Sequence, residues 1–493
     1  MTDPRLLLLP EEERVIRTST AQRLTPMFLF FLAIFITINS AALFIIDRVC
    51  RTHYGDAVCD STPLPPATAD DVSAKAAIWL TLCITALNVL SILFTSFLSA
   101  SSDVVGRKPI MQLSLACMAF CALGTTAVIV LDLPLWVLVP VYFVSGCSGT
   151  FGTFNAALFA LTADSCSSAE NPRQLKRAYA ALEASIFTAG VAGPLLGGWL
   201  QGLCMWYPFA AAAALYLATM AIVALALPET VQGASVRRVG SLGGFFRVSW
   251  SSLALLRSGP NNPAFRDDDG GGGGGGGDDE DDDGGRGGGG GGGERRPWRR
   301  GLVNNRVSWC LMFFLCYSTI IGAGQLFPFF TKLKFSFSSV QVGALSATSY
   351  GAKAIALVTV LPLLISRYGR EAPLLAARLS CATAMVMCVL FGFCPSGGAM
   401  FGLAAVEGFD AIIVPMTRAV LCESAGEQDR GKVLGLIANL ETLAGLVVPL
   451  VVNGVYAATV DTSPSIAFWA LGGAVGGSAL LLSTRLEMPQ QRK

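Results

Sequence analysis

Twelve stretches of mostly apolar residues recur along this chain, and each is long enough to cross a lipid bilayer. They run near 26–46, 76–98, 110–131, 135–162, 178–200 and 208–227, then near 307–330, 339–365, 373–394, 399–422, 433–456 and 464–484. A spanning helix needs about 20 predominantly apolar residues, so twelve take roughly 240. The chain has 493, which leaves room for one long loop. Backbone polar groups in hydrocarbon must be satisfied within the protein, and segments of this length achieve that as α-helices. The predicted fold class is an all-α polytopic membrane protein with twelve transmembrane helices in two six-helix bundles. Charged residues make up 14% of the chain, against about 25% in soluble domains. The net charge of +1 leaves no bulk field to attract nucleic acid. No cleavable leader is expected, because Leu6–Leu9 is a short run broken by Pro10 and Glu11–Glu13.

Lys and Arg set the orientation. With the N-terminus in the cytosol, 27 of the 35 fall in cytosolic segments and 5 in outer loops (Arg48, Arg51, Lys75, Lys332 and Lys334). Lys353, Arg378 and Arg418 lie inside spans. Both termini are therefore expected in the cytosol, residues 1–25 as an N-tail and 485–493 as a C-tail. Residues 228–306 form the predicted cytosolic linker between a 26–227 bundle and a 307–484 bundle. Its low-complexity part, 267–293, is Gly/Asp-rich, with 17 Gly in 270–293 and an acidic run at Asp278–Asp283. Such composition reads as flexible, solvated chain. It holds no GxxxxGK[ST], so a run of glycine is not a nucleotide loop. The halves echo each other: Gly106-Arg107 follows span 2 and Gly369-Arg370 follows span 8. Two six-helix halves with a repeated turn suggest a transporter that rocks about a central site.

Four features then resemble the major facilitator superfamily. Asp103-Val104-Val105-Gly106-Arg107-Lys108 resembles the signature G-x-x-x-D-R-x-G-R-[KR] between helices 2 and 3, with Ser99 in place of the leading Gly and Val104 in place of Arg. Gly193-Pro194-Leu195-Leu196-Gly197-Gly198 resembles the helix 5 motif of antiporters, G-x3-G-P-x2-G-G, whose upstream Gly is here Ala189. Pro228-Glu229-Thr230 resembles the closing P-E-T of helix 6, and the 6+6 layout is the fourth feature. Within the superfamily, the chain is similar to two branches. Ala181-Leu182-Glu183-Ala184-Ser185, Arg418 and Gly431-Lys432-Val433 resemble the proton-coupled folate transporter and its relatives. The GPLLGG segment resembles the tetracycline-efflux-like drug/proton antiporters. The first branch mostly imports and the second exports.

No ATP-binding motif is present, so an ion gradient is the expected energy source. The single His, His53, falls in the first outer loop, which excludes a membrane-embedded His relay. Proton coupling then needs a carboxyl in or near the spans, and the candidates are Glu183, Asp410, Glu407 and Glu441. An ionisable side chain inside a span is costly and is a functional candidate by default. The resemblance to the folate symporters makes Glu183 the coupling position, about 8 Å above the cytosolic end of its span. The plain alternative is a structural carboxylate paired with a neighbour. Lys353 lies about 10 Å higher in span 8. It either pairs with Glu183 across the halves as a proton-controlled latch, or binds a substrate carboxylate, or makes a local structural pair. Glu407 and Asp410 are spaced i, i+3 and share one helix face. Arg418 either snorkels or serves as a gating or substrate residue.

The Asp103, Gly106, Arg107, Lys108 turn reads as a gate. Gly106 permits a tight turn, Asp103 can meet the positive N-terminus of helix 11 near Gly431–Leu434, and Glu229 or Asp164 can pair with Arg107. Gly193, Pro194, Gly197 and Gly198 read as a bendable packing seam, since small residues let backbones approach. Asn39, Asn155 and Gln325 join Lys353 and Arg418 as substrate-binding candidates, each equally able to bond a neighbouring helix. Phe327, Phe329 and Phe330 are expected to form an interfacial belt. Cys50 and Cys59 share the first outer loop, where a disulfide can form on the oxidising side. No cofactor and no metal site is expected, since no Cys/His cluster has ligand spacing.

The leading expectation is a secondary active transporter of a small organic solute, proton-coupled and working by alternating access, with efflux favoured by GPLLGG. Uptake of an organic anion, favoured by Lys353 and Arg418, is the alternative within transport. A transporter-like nutrient sensor signalling through 228–306 is the alternative outside it. An enzyme is not expected. The expected partners are a small-molecule substrate, protons and the lipid bilayer, with the chain acting as a monomer. Asp3-Pro4-Arg5-Leu6-Leu7-Leu8 resembles an acidic dileucine address, so the expected location is the plasma or the vacuolar membrane.

Overall fold

A computed structural model describes residues 20–60, 65–165, 172–229, 298–425 and 430–486. Residues 1–19 of the predicted N-tail, 230–297 of the predicted linker and 487–493 of the predicted C-tail lie outside those residues, whereas 20–25 and 298–306 continue the first and seventh long helices. Twelve of the described helices are long and apolar enough to cross a membrane.

We label the spans α1 to α12. In the first half they are α1 (Thr20–Tyr54), α2 (Pro66–Val105), α3 (Arg107–Val130), α4 (Leu138–Gly146 and Thr150–Ser165), α5 (Pro172–Leu203) and α6 (Tyr207–Ala226). In the second they are α7 (Trp298–Phe335), α8 (Ser339–Ile355 and Leu361–Tyr368), α9 (Ala372–Phe393), α10 (Gly397–Val406 and Ile413–Ala425), α11 (Arg430–Thr459) and α12 (Ile466–Ala470 and Gly477–Thr484). Successive spans run in opposite directions, so the first and last described residues lie at the same end of the molecule. We call this the terminal end and its opposite the distal end.

Four spans are interrupted, which the hydropathy pattern does not reveal. In α4 the break falls at Gly149 and Thr150, both at positive φ (67° and 51°). Carbonyls freed by a break inside a membrane need donors from the protein. Thr95 Oγ1 donates to the Gly149 carbonyl at 3.0 Å, and Ser114 Oγ donates to the Thr150 carbonyl at 2.9 Å. α8 and α12 each carry a π-turn, at Ala356–Val360 and Leu471–Gly476. α10 tightens to a 3-10 stretch over Glu407–Ile412.

Apolar packing treats the two ends differently. One buried cluster takes residues from both halves at the distal end, among them Phe44, Leu80, Phe329, Leu345 and Tyr456. Toward the terminal end, separate clusters form around Phe30 and Phe154 in the first half and around Trp309 and Phe313 in the second. Phe327, Phe329 and Phe330 are therefore not an interfacial belt. They are buried and pack on Phe391, Tyr456 and Phe468, because α7 turns that face inward at the distal seal. Polar contacts between α2 and α11 reinforce the seal: Ser73 Oγ and the Tyr456 hydroxyl are 2.9 Å apart, and Asn453 donates to Thr81 at 3.0 Å. Just outside it, Cys50 and Cys59 are disulfide-bonded with Cα atoms 5.9 Å apart. Arg51 between them reaches Asp47, Asp56 and Asp60.

The Gly193–Gly198 motif of α5 is sandwiched between α1 and α8. A Cβ at Gly193 or Gly197 would strike the Phe35–Ile36 backbone of α1, and one at Gly198 would strike the Ser339 carbonyl of α8. Gly343 of α8 returns the contact against the Pro194 carbonyl. Overpacking a close approach of this kind costs about 1–3 kcal/mol. Gly197→Ala should lower the melting temperature of the detergent-solubilised protein. Gly402→Ala, where a Cβ meets open space, should leave it unchanged or raise it slightly, since Ala is the better helix former.

Candidate functional site

Two ionic clusters are embedded in the spans, and each sets one cation against two carboxylates. The first crosses the seam between the halves. Arg418 of α10 donates through Nη1 to Glu183 of α5 and through Nη2 to Glu441 of α11, the latter at 2.7 Å. Glu183 belongs to the first half; Arg418 and Glu441 belong to the second. Both Glu183 and Arg418 side chains keep 22% exposure, whereas Glu441 keeps 6%. Arg418 is thus held as a bridge and does not snorkel. Glu183 and Glu441 each lie eleven residues from the terminal-end start of their helix, about 16 Å of rise, which brings both to one level.

The second cluster lies within the second half. Lys353 of α8 places Nζ 3.1 Å from Glu407 Oε1 and 3.7 Å from Asp410 Oδ2. All three residues are buried, at 8%, 3% and 5% exposure. Ser349, one turn before Lys353, donates to Glu407. The 3-10 stretch explains how one lysine meets two acids: with three residues per turn, side chains at i and i+3 eclipse. Gly408 between them backs onto the Ala352–Lys353 backbone, where a side chain would clash. The Glu183–Lys353 pairing is accordingly corrected. Lys353 is taken by the carboxylates facing it at its own depth, and Glu183 finds Arg418 at the lower level. Glu407 is likewise not a wet residue at an outer mouth.

Around these clusters, a face of α8 with helical spacing meets the first half. Asn39 of α1 donates to Ser346 Oγ at 2.8 Å. Tyr350 packs on Phe35 of α1, ring centroids 4.6 Å apart, and lies over Gly190 of α5. Lys353 Nζ sits 5.7 Å from the Tyr350 centroid. Ser346, Ser349 and Tyr350 escaped the reading of the sequence, although their spacing to Lys353 along α8 was a usable signal. Asn155 of α4 is half-buried with Oδ1 lacking a hydrogen-bond partner, and Gln325 of α7 is half-buried.

At the terminal-end turn between α2 and α3, Gly106 has φ +113°, a conformation that favours glycine. Glu229 accepts from the backbone N–H groups of Arg107 and Lys108, both at 3.0 Å. That caps the positive N-terminus of α3. The Arg107 side chain reaches Ser102 at 2.6 Å and Asp164 at 3.4 Å. Glu229 therefore serves the helix end. The Asp103 side chain and Gly431–Leu434 side chains lie outside the described residues, so the contact expected between them is not placed.

The fold and its paired clusters can be set beside known proteins. The family model described as Major Facilitator Superfamily matches residues 27–449. The chain belongs to the Major Facilitator Superfamily. Like its family, it is a multi-pass membrane transporter and not an enzyme. Curated relatives include the class C tetracycline resistance protein of Escherichia coli, 24% identical over 392 residues that cover 78% of this chain and 82% of that one. The class D tetracycline resistance protein of Salmonella ordonez is 22% identical, covering 81% and 85%. Among solved structures, the human organic anion transporter MFSD10 (TETRAN) aligns with a TM-score of 0.63 at 18% identity, covering 96% of this chain and 100% of that one. The nucleoside transporter NupG (D323A mutant) aligns at 0.58 and 12%, covering 94% and 98%. At such identities the structural matches speak for the fold.

The bridge predicts an asymmetry between its members. Removing one partner of a buried pair costs about 3–5 kcal/mol when it strands an uncompensated charge. Arg418→Gln strands two carboxylates, whereas Glu183→Gln leaves Arg418 with Glu441. Thermal melting of the purified variants should therefore fall markedly more for Arg418→Gln than for Glu183→Gln.

Proposed function

We propose that this transporter exports a small organic solute in exchange for protons, by alternating access, and that Glu183 is the coupling carboxyl. The observation that carries the reading is the Glu183–Arg418–Glu441 bridge between the halves. A proton on Glu183 cancels its charge and dissolves the cross-seam ion pair. Arg418 is not stranded, because Glu441 of its own half still holds it. Protonation can therefore loosen the halves at the terminal end without leaving a buried charge alone. A hydrogen bond to a charged group is worth about 1.5–3 kcal/mol, so its loss shifts a two-state equilibrium by roughly ten- to a hundredfold. That suffices to bias a rocking motion between two populated states.

Export is favoured by the GPLLGG segment in the α1–α5–α8 sandwich and by relatives named for tetracycline resistance. In this reading both termini and the 228–306 linker face the cytosol, as the Lys/Arg bias requires. The bundles are 26–227 and 307–484, and the transporter works as a monomer in the plasma or vacuolar membrane. The linker joins the halves without gating them, so deletion of 270–293 should leave transport and surface level intact.

The deciding experiment compares small molecules inside and outside cells expressing the native chain with cells expressing Glu183→Gln at matched level. Solutes depleted inside only with the native chain, and restored by a protonophore, are expected. Solutes accumulated inside would reverse the direction. Depletion that persists in Glu183→Gln would remove Glu183 from the mechanism.

A further inference from the structure

Lys353 and Arg418 invite the reading that the chain handles anions. The structure removes the basis for that reading, because neither cation is free. Each already faces two carboxylates, Glu407 and Asp410 at one, Glu183 and Glu441 at the other. Arg378, the third of the basic residues that the sequence places inside an apolar stretch, reaches the Ser483 carbonyl of α12 at 3.5 Å. Neither cluster has spare positive charge for an incoming carboxylate. With all groups ionised, each is one positive charge short of neutrality.

The Lys353 cluster shows where that charge would sit. Asp410 gives Oδ2 to Lys353, while its buried Oδ1 has no hydrogen-bond partner. A buried acceptor short of a donor costs about 1–3 kcal/mol, more when charged; the adjacent Ala411 N–H is the backbone donor near this carboxyl, and Oδ1 still has room for a donor from outside the protein. The groups facing the cluster are Lys353 and Tyr350 of α8, Glu407 of α10, and the thiols of Cys316 on α7 and Cys388 on α9. None but Lys353 is a cation. Tyr350, flanking the lysine, packs on Phe35 of the opposite half. The two rings put aromatic surface at the seam beside the carboxylates, and aromatic faces attract cations. Lys353 is fourteen residues from the distal start of α8, about 21 Å of rise. That is the middle of the Ser339–Tyr368 span, and transporter substrate sites usually lie near the midplane.

We propose that the Asp410–Glu407 pair at Lys353 binds a positively charged group of the transported solute, making the substrate class organic cations. The inference rests on the exchange reading above and names the solute for it. The solute's charge is met at Asp410 and Glu407, while the coupling proton belongs to Glu183 in the other cluster.

The test uses the full chain purified in detergent, with ethidium and tetraphenylphosphonium as cationic probes and carboxyfluorescein as the anionic one. Ethidium should bind at pH 8, be displaced by tetraphenylphosphonium, and bind at least tenfold more weakly in Asp410→Asn and in Glu407→Gln. Both variants leave a neutral lysine–carboxylate pair, so both should fold, which melting temperatures check. Asp410→Glu should restore binding. The proposal is overturned if neither cation binds, or if binding is unchanged in both variants. It is also overturned if carboxyfluorescein binds and loses that binding in Lys353→Gln, or if only sodium ion shifts the melting temperature. Cation binding at the site, with export that a protonophore leaves unchanged, would keep the site and sink the exchange reading. Proton-driven uptake of carboxyfluorescein into vesicles would keep the exchange and sink the cation site.

Discussion

Arg418 held between Glu183 and Glu441 is the interaction on which the rest depends. A guanidinium within a span is tolerated only when paired. Here it is paired twice, once within its own half and once across the seam. The duplicated partner makes the cross-seam contact breakable. A single buried ion pair would lock the halves, because parting them would strand two charges. With Glu441 as resident partner, parting the halves leaves Glu183 alone without its cation, and in the proposed mechanism a proton on Glu183 relieves that penalty.

The apolar packing is arranged around that contact. Distally the halves share one core, reinforced by the Ser73–Tyr456 and Thr81–Asn453 contacts. Toward the terminal end each half has its own core, and an ionic bridge joins them. Apolar burial is indifferent to protons, whereas a carboxylate bridge is not. The α1–α5–α8 sandwich, with glycines pressed on backbone, brings α5 of one half and α8 of the other into close contact. The interrupted helices add local departures from regular geometry where polar chemistry gathers. The 3-10 stretch of α10 carries Glu407 and Asp410, and the π-turn of α8 begins three residues past Lys353.

Several members of the candidate site were legible because charge inside an apolar stretch is conspicuous. Glu183, Lys353, Glu407, Asp410, Arg418 and Glu441 stand out from their neighbours by that criterion alone. Their pairing was not legible. Depth arithmetic placed Lys353 about 10 Å above Glu183, close enough for a long side chain to suggest a pair. What the arithmetic lacks is rotation about each helix axis and the tightening of α10, and these decide which acids Lys353 meets. The polar face of Ser346, Ser349 and Tyr350 was missed for a related reason: hydroxyls within spans usually bond their own helix, so they carry little contrast. Phe327, Phe329 and Phe330 were misread because aromatic residues near a span end suit a belt or a core equally well until the helix is oriented.

The sequence by itself determined the number of spans, their division into two sets of six and the identity of the ionisable groups within them. Those follow from local composition: about 20 apolar residues can do little else in lipid, and every charge among them is visible. The tertiary structure alone decided which charges neutralise one another, which contact crosses the seam and which end is sealed by apolar packing. Those depend on how helices far apart in sequence rotate and cross, as α5 at Glu183 and α10 at Arg418 do. Their side chains meet only when the whole bundle is assembled.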